Sequence, residues 1–272
     1  MRLPALLLLL TSQAAGLSHA AEPAQGPAPT EFTRFHADEA VQGVAVDGEF
    51  LYVIADHALG KYRKSDGAKV TAWTAPKDSK IKHLNAGVVI DGKLYCAHSN
   101  FPLKPDESSV EIFDATTLQP TGRHVFINPP GSLTWAIPYQ GGWLTCFAHY
   151  SLTSDNALSR IVQFDQNWKE LKRWSFPAEL LKRFARSSSS GVSLVGGEQL
   201  LVSGHDAREL YALTLPPEGG EARWEATWGF LTAGQAFDED RTAGSKEKGC
   251  VLYSIERKTK EVVGARYPAA AR

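Results

Sequence analysis

Four histidines occupy corresponding places in a repeated sequence pattern. His57, His98, His149 and His205 each follow an apolar run that comes after a glycine-containing turn. Imidazole is the commonest metal ligand, and it can act as a general acid or base near neutral pH. Because a structural repeat returns equivalent residues around one axis, the pattern predicts a histidine-lined site at one end of that axis.

Three interpretations of these histidines stay open. In the first, neutral imidazoles directed at one point bind a divalent transition metal, which activates water or polarises a substrate oxygen. This interpretation predicts that the metal ligands are His57, His98, His149 and His205. Without a metal, His98, His149 and His205 would be the catalytic residues and would act on a substrate directly. Alternatively, each histidine is inherited from an ancestral repeat and hydrogen-bonds a neighbouring blade, that is, the next repeat unit.

Loops that lead into the first strand of each unit add polar side chains at the same end. We expect the ligand-binding residues to be His57, His83, Asn85, Gln42, Gln235 and Tyr150, although Ser, Asn and Gly are also ordinary loop residues. Phe101, Tyr150 and Trp135 are candidates for stacking on a sugar or another ring, although for Trp135 we expect packing in the core. Asp56 beside His57 and Asp206 beside His205 are candidates for orienting an imidazole, as carboxylates near metal sites do.

An acidic run lies in the last unit. Asp238, Glu239 and Asp240 lack the alternating spacing of a calcium-binding loop. We therefore expect a solvated acidic turn there.

The repeat itself predicts the fold. Each unit has a glycine-led strand, a turn, a second apolar strand and two further strand-like runs; the clearest copies cover 43–57, 87–98, 135–149 and 191–205, with a degraded fifth copy over 234–255. Glycine between two apolar runs is typical of hairpin turns, which need positive φ angles. Four antiparallel strands per unit of roughly 40–55 residues are characteristic of β-propeller blades.

The number of blades follows from the unpaired runs. The fifth unit lacks an outer strand after residues 262–266, and residues 31–35 have no partner of their own. Pairing the two would close the ring and hide its edges. The sequence thus predicts an all-β, five-bladed β-propeller closed by an N-terminal strand, with six blades as the alternative, as a single domain over 31–272. A short helix over 178–186 is expected between the third and fourth units.

The pattern resembles that of secreted bacterial β-propellers of the YVTN/WD40-like superfamily. It is clearest in Gly43 to Tyr52 and in Gly87 to Tyr95, which share a glycine, an apolar run, Asp-Gly and Leu-Tyr. The resemblance covers nearly the whole mature chain but is architectural, and no Trp-Asp dipeptide closes the blades. It implies a fold and not an activity.

The N-terminus predicts export. Arg2 precedes the apolar run Leu3 to Leu10, and Ser18-His19-Ala20 offers small residues before a cleavage site. The apolar run is too short for a spanning helix, which needs about 20 residues. We expect a cleaved signal peptide over 1–20, a flexible linker over 21–30, no membrane span, and a periplasmic or secreted location.

Charge and cysteine content narrow the partners. With 29 Lys and Arg against 30 Asp and Glu, the chain has no net field to attract nucleic acid. The odd number of cysteines allows at most one disulfide, and we expect Cys96, Cys146 and Cys250 to be buried and unpaired, with Cys96–Cys146 as the one pair to test. The predicted partner is a small molecule, and the predicted oligomeric state is a monomer.

The predicted function is that of a small-molecule lyase, isomerase or hydrolase. The alternative is a propeller of the cell envelope that binds a ligand or protein without catalysis. No phosphate-binding loop, nucleophile elbow, His-Glu-x-x-His or Cys-x-x-Cys motif indicates another chemistry.

Overall fold

Tight turns with positive φ angles connect the first two strands of several predicted units. The computed structural model describes residues 23–152, 154–242 and 249–269. Within them, two-residue turns at Asp91–Gly92 (φ 47° and 73°) and Gln140–Gly141 (φ 48° and 78°) join the first and second strands of their units. Two successive positive φ values match the right-handed twist of the flanking strands, so these glycine-containing pairs set the hairpin register.

Five sheets surround a common axis as a five-bladed β-propeller, which confirms the predicted fold class and blade number. Two strands, β1 (Ala24–Gln25) and β2 (Thr30–His36), precede the first blade. Blade 1 contains β3 (Gly43–Val46), β4 (Phe50–Ala55), β5 (Ala58–Arg63) and β6 (Lys69–Thr74). Blade 2 contains β7 (His83–Ile90), β8 (Lys93–Ser99), β9 (Ser108–Asp114) and β10 (Pro120–Val125).

The remaining blades follow the same order from the innermost strand outwards. Blade 3 contains β11 (Ser132–Tyr139), β12 (Gly142–Ala148), β13 (Arg160–Phe164) and β14 (Glu170–Ser175). Blade 4 contains β15 (Gly191–Val195), β16 (Gln199–Ser203) and β17 (Glu209–Thr214), followed after β18 (Gly220–Glu221) by β19 (Arg223–Gly229). Blade 5 contains β20 (Asp238–Glu239), β21 (Cys250–Glu256) and β22 (Glu261–Tyr267).

The N-terminal strand closes the ring as predicted. Strand β2 pairs antiparallel with β22 and supplies the outer strand of blade 5, with Arg34 opposite Val263. Arg34 also bonds the Glu261 carboxylate at 2.9 Å. Blade 5 is therefore built from both ends of the described chain, which leaves the propeller without an open seam.

Two short parallel pairings were not predicted. Strand β1 adds to the outer edge of blade 4, with Ala24 opposite Ala226, and β18 adds to the outer edge of blade 3. Residues 24–25, which the sequence predicts to be part of a flexible linker, thus pair with an outer strand of blade 4. The signal peptide expected over residues 1–20 lies outside the described residues.

The helix and the core also agree with the sequence. Helix α1 (Ala178–Phe184) lies between blades 3 and 4, and its Leu180 and Phe184 are buried beside Trp135. Cys96, Cys146 and Cys250 are all free and buried, as predicted. No helix among the described residues is long and apolar enough to cross a bilayer.

Candidate functional site

The chain places two different sets of loops at the two ends of the propeller axis. At one end, here called the histidine end, lie the loops that lead into the inner strands and those that leave the second strands. Neighbouring blades are tied together there, since Ala236 N–H donates to Gln42 O at 3.0 Å and Asn85 Nδ2 donates to Leu133 O at 2.9 Å. At the other end, here called the turn end, lie the hairpin turns between the inner and second strands.

His98 is a structural residue and not an exposed acid or base. Its side chain is almost fully buried, and Nε2 accepts a hydrogen bond from Lys82 N–H at 2.9 Å. Nδ1 therefore carries the proton and bonds Ser109 Oγ at 2.9 Å, while that hydroxyl donates to Glu111 Oε1 at 2.6 Å. Burial, helped by the nearby charge of Arg123, lowers the His98 pKa to about 4. Both ring nitrogens are occupied, so the predicted catalytic role does not fit this residue.

His149 is also held by its own loops. Its Nδ1 bonds Ser154 Oγ at 3.1 Å, and its Nε2 bonds the carbonyl oxygen of Pro130. A carbonyl only accepts hydrogen bonds, so Nε2 carries the proton in this arrangement. This imidazole links the loop before β11 to the loop after β12. Its role is structural, but its partners lie beside its own blade and not in a neighbouring one.

His205 and His57 remain near the surface. His205 Nδ1 lies 2.7 Å from Asp206 Oδ1, the orienting pair suggested by the sequence, but that carboxylate is 75% exposed. His57 is exposed in the turn between β4 and β5. Among the described residues, no group of three or more His, Cys, Asp or Glu side chains is arranged to hold a metal ion. The four histidines predicted as metal ligands therefore do not gather into one such site.

A different histidine has a carboxylate partner at the histidine end. His83 Nδ1 lies 2.8 Å from Asp56 Oδ1, and Gln42 Nε2 donates to the same oxygen at 2.6 Å. Gln42 precedes β3, Asp56 follows β4, and His83 begins β7, so the group joins blades 1 and 2. Leu84 N–H donates to Asp56 O at 3.0 Å, which fixes the start of β7 against this turn.

The electrostatics of the pair define its tautomer. Burial raises the pKa of Asp56, but the hydrogen bond and charge of His83, with Gln42 and Arg257, outweigh it and leave that pKa below its ordinary value. An ionised carboxylate can only accept, so His83 Nδ1 must carry a proton. In the neutral ring, Nε2 is then the basic nitrogen. The His83 side chain keeps 20% of its surface exposed, so this ring is accessible to solvent.

One aromatic ring lies beside this pair, and a second ring packs on the first. The Phe101 ring lies 5.9 Å from the His83 ring and 4.5 Å from the Tyr150 ring, measured between centroids. These residues come from the loops after β8 and β12, which overhang the histidine end. Trp135, the third candidate for ring stacking, is instead fully buried and donates from Nε1 to Ser189 Oγ at 2.9 Å. We call Gln42, Asp56, His83, Phe101 and Tyr150 the rim cluster.

Of the other three predicted ligand-binding residues, His57 is exposed in the β4–β5 turn, and Asn85 and Gln235 have structural bonds. Asn85 is buried and joins blades 2 and 3 through Leu133 O. Gln235 is 2% exposed, and its Nε2 donates to the carbonyl oxygen of His205. The rim cluster thus contains three of the six residues predicted to bind ligand, namely Gln42, His83 and Tyr150.

A cavity of about 840 Å³ opens at the turn end, where the sequence predicts no site. Its wall is mostly apolar and includes Val89, Ile90, Ile137, Leu194 and Trp228. The volume lies within the roughly 300–1,000 Å³ range of small-molecule sites.

The acidic run of blade 5 lies beside this cavity and is not a solvated turn. Asp238, Glu239 and Asp240 are 2%, 8% and 6% exposed. Asp238 bonds Arg241 at 2.9 Å, and Asp240 bonds Lys64 at 2.7 Å. Glu239 accepts from Gly196 N–H at 3.1 Å, which joins blade 5 to blade 4. The prediction of a solvated turn was wrong because composition alone does not show that β20 is the innermost strand of its blade.

Comparison with known proteins supports the fold. No protein-family model and no curated protein sequence matches the chain. The PQQ-bound form of aldose sugar dehydrogenase from Streptomyces coelicolor is similar, with 9% identity and a TM-score of 0.54 over 90% of this chain and 99% of that one. A chain of a mitotic checkpoint complex has 9% identity and a TM-score of 0.45 over 98% and 100%. The similarity to the dehydrogenase supports the propeller fold alone, and membership of the YVTN/WD40-like superfamily stays a prediction.

Proposed function

We propose that the protein is an enzyme that transfers protons to or from a small organic substrate at the rim cluster. The observation that carries this proposal is the 2.8 Å contact between His83 Nδ1 and Asp56 Oδ1. An imidazole held by a carboxylate has a fixed tautomer and orientation, which is what a general acid or base requires. His83 Nε2 is the atom assigned to proton transfer, and Asp56 is the positioning residue.

The surroundings of the pair support a pre-organised base. Asp56 is held by Gln42 through its side chain and by Leu84 through its backbone, so its carboxylate has a fixed direction before any substrate arrives. Fixed dipoles at a reacting centre lower the barrier because they do not have to reorganise during the reaction. The lowered Asp56 pKa keeps this carboxylate ionised at neutral pH.

The aromatic pair suggests the size of the substrate. The Phe101 ring lies beside His83, and Tyr150 packs on Phe101, so the two rings form an apolar wall in loops of the kind that often shape binding sites. A small molecule with an apolar or ring-shaped part would pack on this wall while a C–H, an O–H or a bound water faces Nε2. Proton removal at that position is common to lyases, isomerases and hydrolases, which are the three reaction classes that we propose. The predicted signal peptide would place this activity outside the cytoplasm.

The test is turnover of a panel of small esters, lactones and hydroxy acids by the wild-type protein and two variants. His83→Gln removes the base and should lower kcat by about 100-fold or more, with a smaller effect on KM. His36→Gln is the matched control, because His36 lies 3.0 Å from Asp38 in an exposed pair on β2. We expect the control to keep wild-type activity. Saturable binding at the rim cluster without turnover of any compound would instead support the non-catalytic alternative.

A further inference from the structure

The cavity at the turn end has an uneven distribution of charge. Blades 2 and 4 supply apolar walls through Val88, Ile90 and Leu194. The charged lining residues are Glu198 on the turn of blade 4 and Glu239 and Arg241 on blade 5. The Arg241 guanidinium is bonded to Asp238, whose carboxylate balances its charge. Among the described residues, no cationic side chain forms an ion pair with Glu239, which accepts only the backbone N–H of Gly196. Within the described part of the chain, the cavity is therefore lined by a carboxylate that has no bonded cation.

We propose that this cavity binds small organic cations, namely amines with an apolar or aromatic body. The ammonium group would bond the Glu239 carboxylate, which keeps acceptor positions beyond the one used by Gly196. The body of the ligand would fill the apolar part of the cavity, where burial of its CH₂ groups favours binding. Trp228 lines the same cavity and offers an aromatic surface to the cation or its body. This site lies at the opposite end of the axis from the rim cluster and does not depend on the proposed enzymatic function.

The environment of Glu239 agrees with this assignment. Burial raises its pKa, against the lowering effects of the Gly196 hydrogen bond and of Arg241. The groups that face it are Arg241, Asp238 and Asp240 on its own segment, Cys250 on β21, and Glu198 on the turn of blade 4. A carboxylate kept partly from water gains more from a bound ammonium than an exposed one does. Amine affinity should therefore be constant at neutral pH and should fall as the pH drops through the raised Glu239 pKa.

The test uses three probes with the same phenyl body and different charge: phenethylamine, phenethyl alcohol and hydrocinnamate. Isothermal titration of the full chain should show binding of the amine and much weaker binding of the alcohol and the acid. Glu239→Gln keeps an acceptor for Gly196 N–H and should weaken amine binding roughly tenfold or more, as expected for loss of a charge-assisted hydrogen bond. The same substitution should leave the affinity for the alcohol within about twofold.

Matched controls separate this site from general charge effects and from the rim cluster. Glu49→Gln removes an exposed carboxylate from the β3–β4 turn at the same end and should not change amine affinity. His83→Gln should also leave the amine affinity unchanged. A failure of the enzymatic proposal can therefore be distinguished from a failure of the amine site. Leu194→Phe narrows the cavity and should weaken all three probes, which tests the location even if Glu239→Gln fails to fold. Absence of amine binding, equal affinity for amine and alcohol, or an unchanged affinity in Glu239→Gln would overturn the proposal.

Discussion

Burial changes what an imidazole can do, and His98 is the clearest case in this protein. The unfolded chain takes up a proton on this ring below its ordinary pKa of 6.5, whereas the folded chain does so only near pH 4. Between these values the unfolded state binds more protons, so the stability of the fold must decrease as the pH falls. The full shift corresponds to about 3 kcal/mol.

This linkage predicts the behaviour of His98→Gln. The variant should be less stable than wild type at pH 7.5 by about 1–3 kcal/mol, because Ser109 loses its ring partner. Its stability should also decrease less steeply between pH 6.5 and 4, since the buried titrating group is gone. Urea unfolding at a series of pH values measures both effects. Parallel pH profiles for the two proteins would show that His98 is not the linked group.

The sequence identified several residues of the histidine end correctly, but it did not identify which of them bond to each other. The sequence indicates His83, Gln42 and Tyr150 as polar or aromatic groups at this end, and the structure brings them together. It suggested His57 as the partner of Asp56 and His205 as the partner of Asp206, but only the second of these adjacent pairs forms, and Asp56 has a different partner. The carboxylate instead meets His83 across the blade boundary, and a contact between distant residues leaves no local pattern.

At the scale of the elements, the hairpin turns are the best-predicted features. Gly92 lies in a tight turn at a φ of 73° with nothing within 4 Å of the position that a Cβ would take. Gly48, in the β3–β4 turn, is equally open but does not adopt a positive φ. A Cβ would meet no neighbouring atom at either position, so a comparison of alanine substitutions at Gly92 and Gly48 tests the effect of backbone conformation alone.

We predict opposite outcomes for the two alanine substitutions. Gly92→Ala should lower the free energy of unfolding by about 1–2 kcal/mol, because an L-residue is disfavoured in the left-handed region. Gly48→Ala should be neutral or stabilising by about 0.4–1 kcal/mol, since it reduces the entropy of the unfolded chain. Chemical denaturation of both variants gives the comparison. Equal effects at the two sites would contradict the assigned turn conformation.

Other elements could not be predicted from the sequence. Strands β1 and β18 each pair over only two residues with an edge strand, in parallel. Such short pairings have no period of their own, and their partners are fixed only after the blades have formed. The inner strand of the fifth unit was expected to start at residue 234, but β20 covers Asp238–Glu239. The acidic run was therefore expected in a turn after the strand, and the cavity beside it was missed.

For the whole molecule, closure by β2 is the feature on which the ring depends. A chain that begins at residue 37 lacks β2 and exposes the edge of β22. We expect it to unfold at lower denaturant concentration than a chain that begins at residue 23, and to self-associate through the free edge. A chain that begins at residue 28 lacks only β1 and should lose much less stability. Size-exclusion chromatography and denaturant midpoints test this order, which equal midpoints for all three chains would refute.

The two ends of the axis give the molecule two separate chemical environments. The histidine end offers an ionised Asp56 that orients a solvent-accessible imidazole, and the turn end offers an apolar cavity beside a buried carboxylate. Repetition of the blades explains the recurring histidines, while the chemistry that we propose depends on the residues that depart from the repeat. His83 has a place in only one blade, and its partners Asp56 and Phe101 come from blades 1 and 2.

Chemical rescue of His83→Ala tests the central claim most directly. The variant leaves a space next to Asp56 that added imidazole can enter, and the free base can then occupy the position of the missing ring. The account predicts that His83→Ala loses turnover of the substrate found in the panel, and that imidazole restores a measurable part of it in a saturable manner. The His36→Ala control should need no rescue. Full activity of His83→Ala in the absence of imidazole would contradict the account.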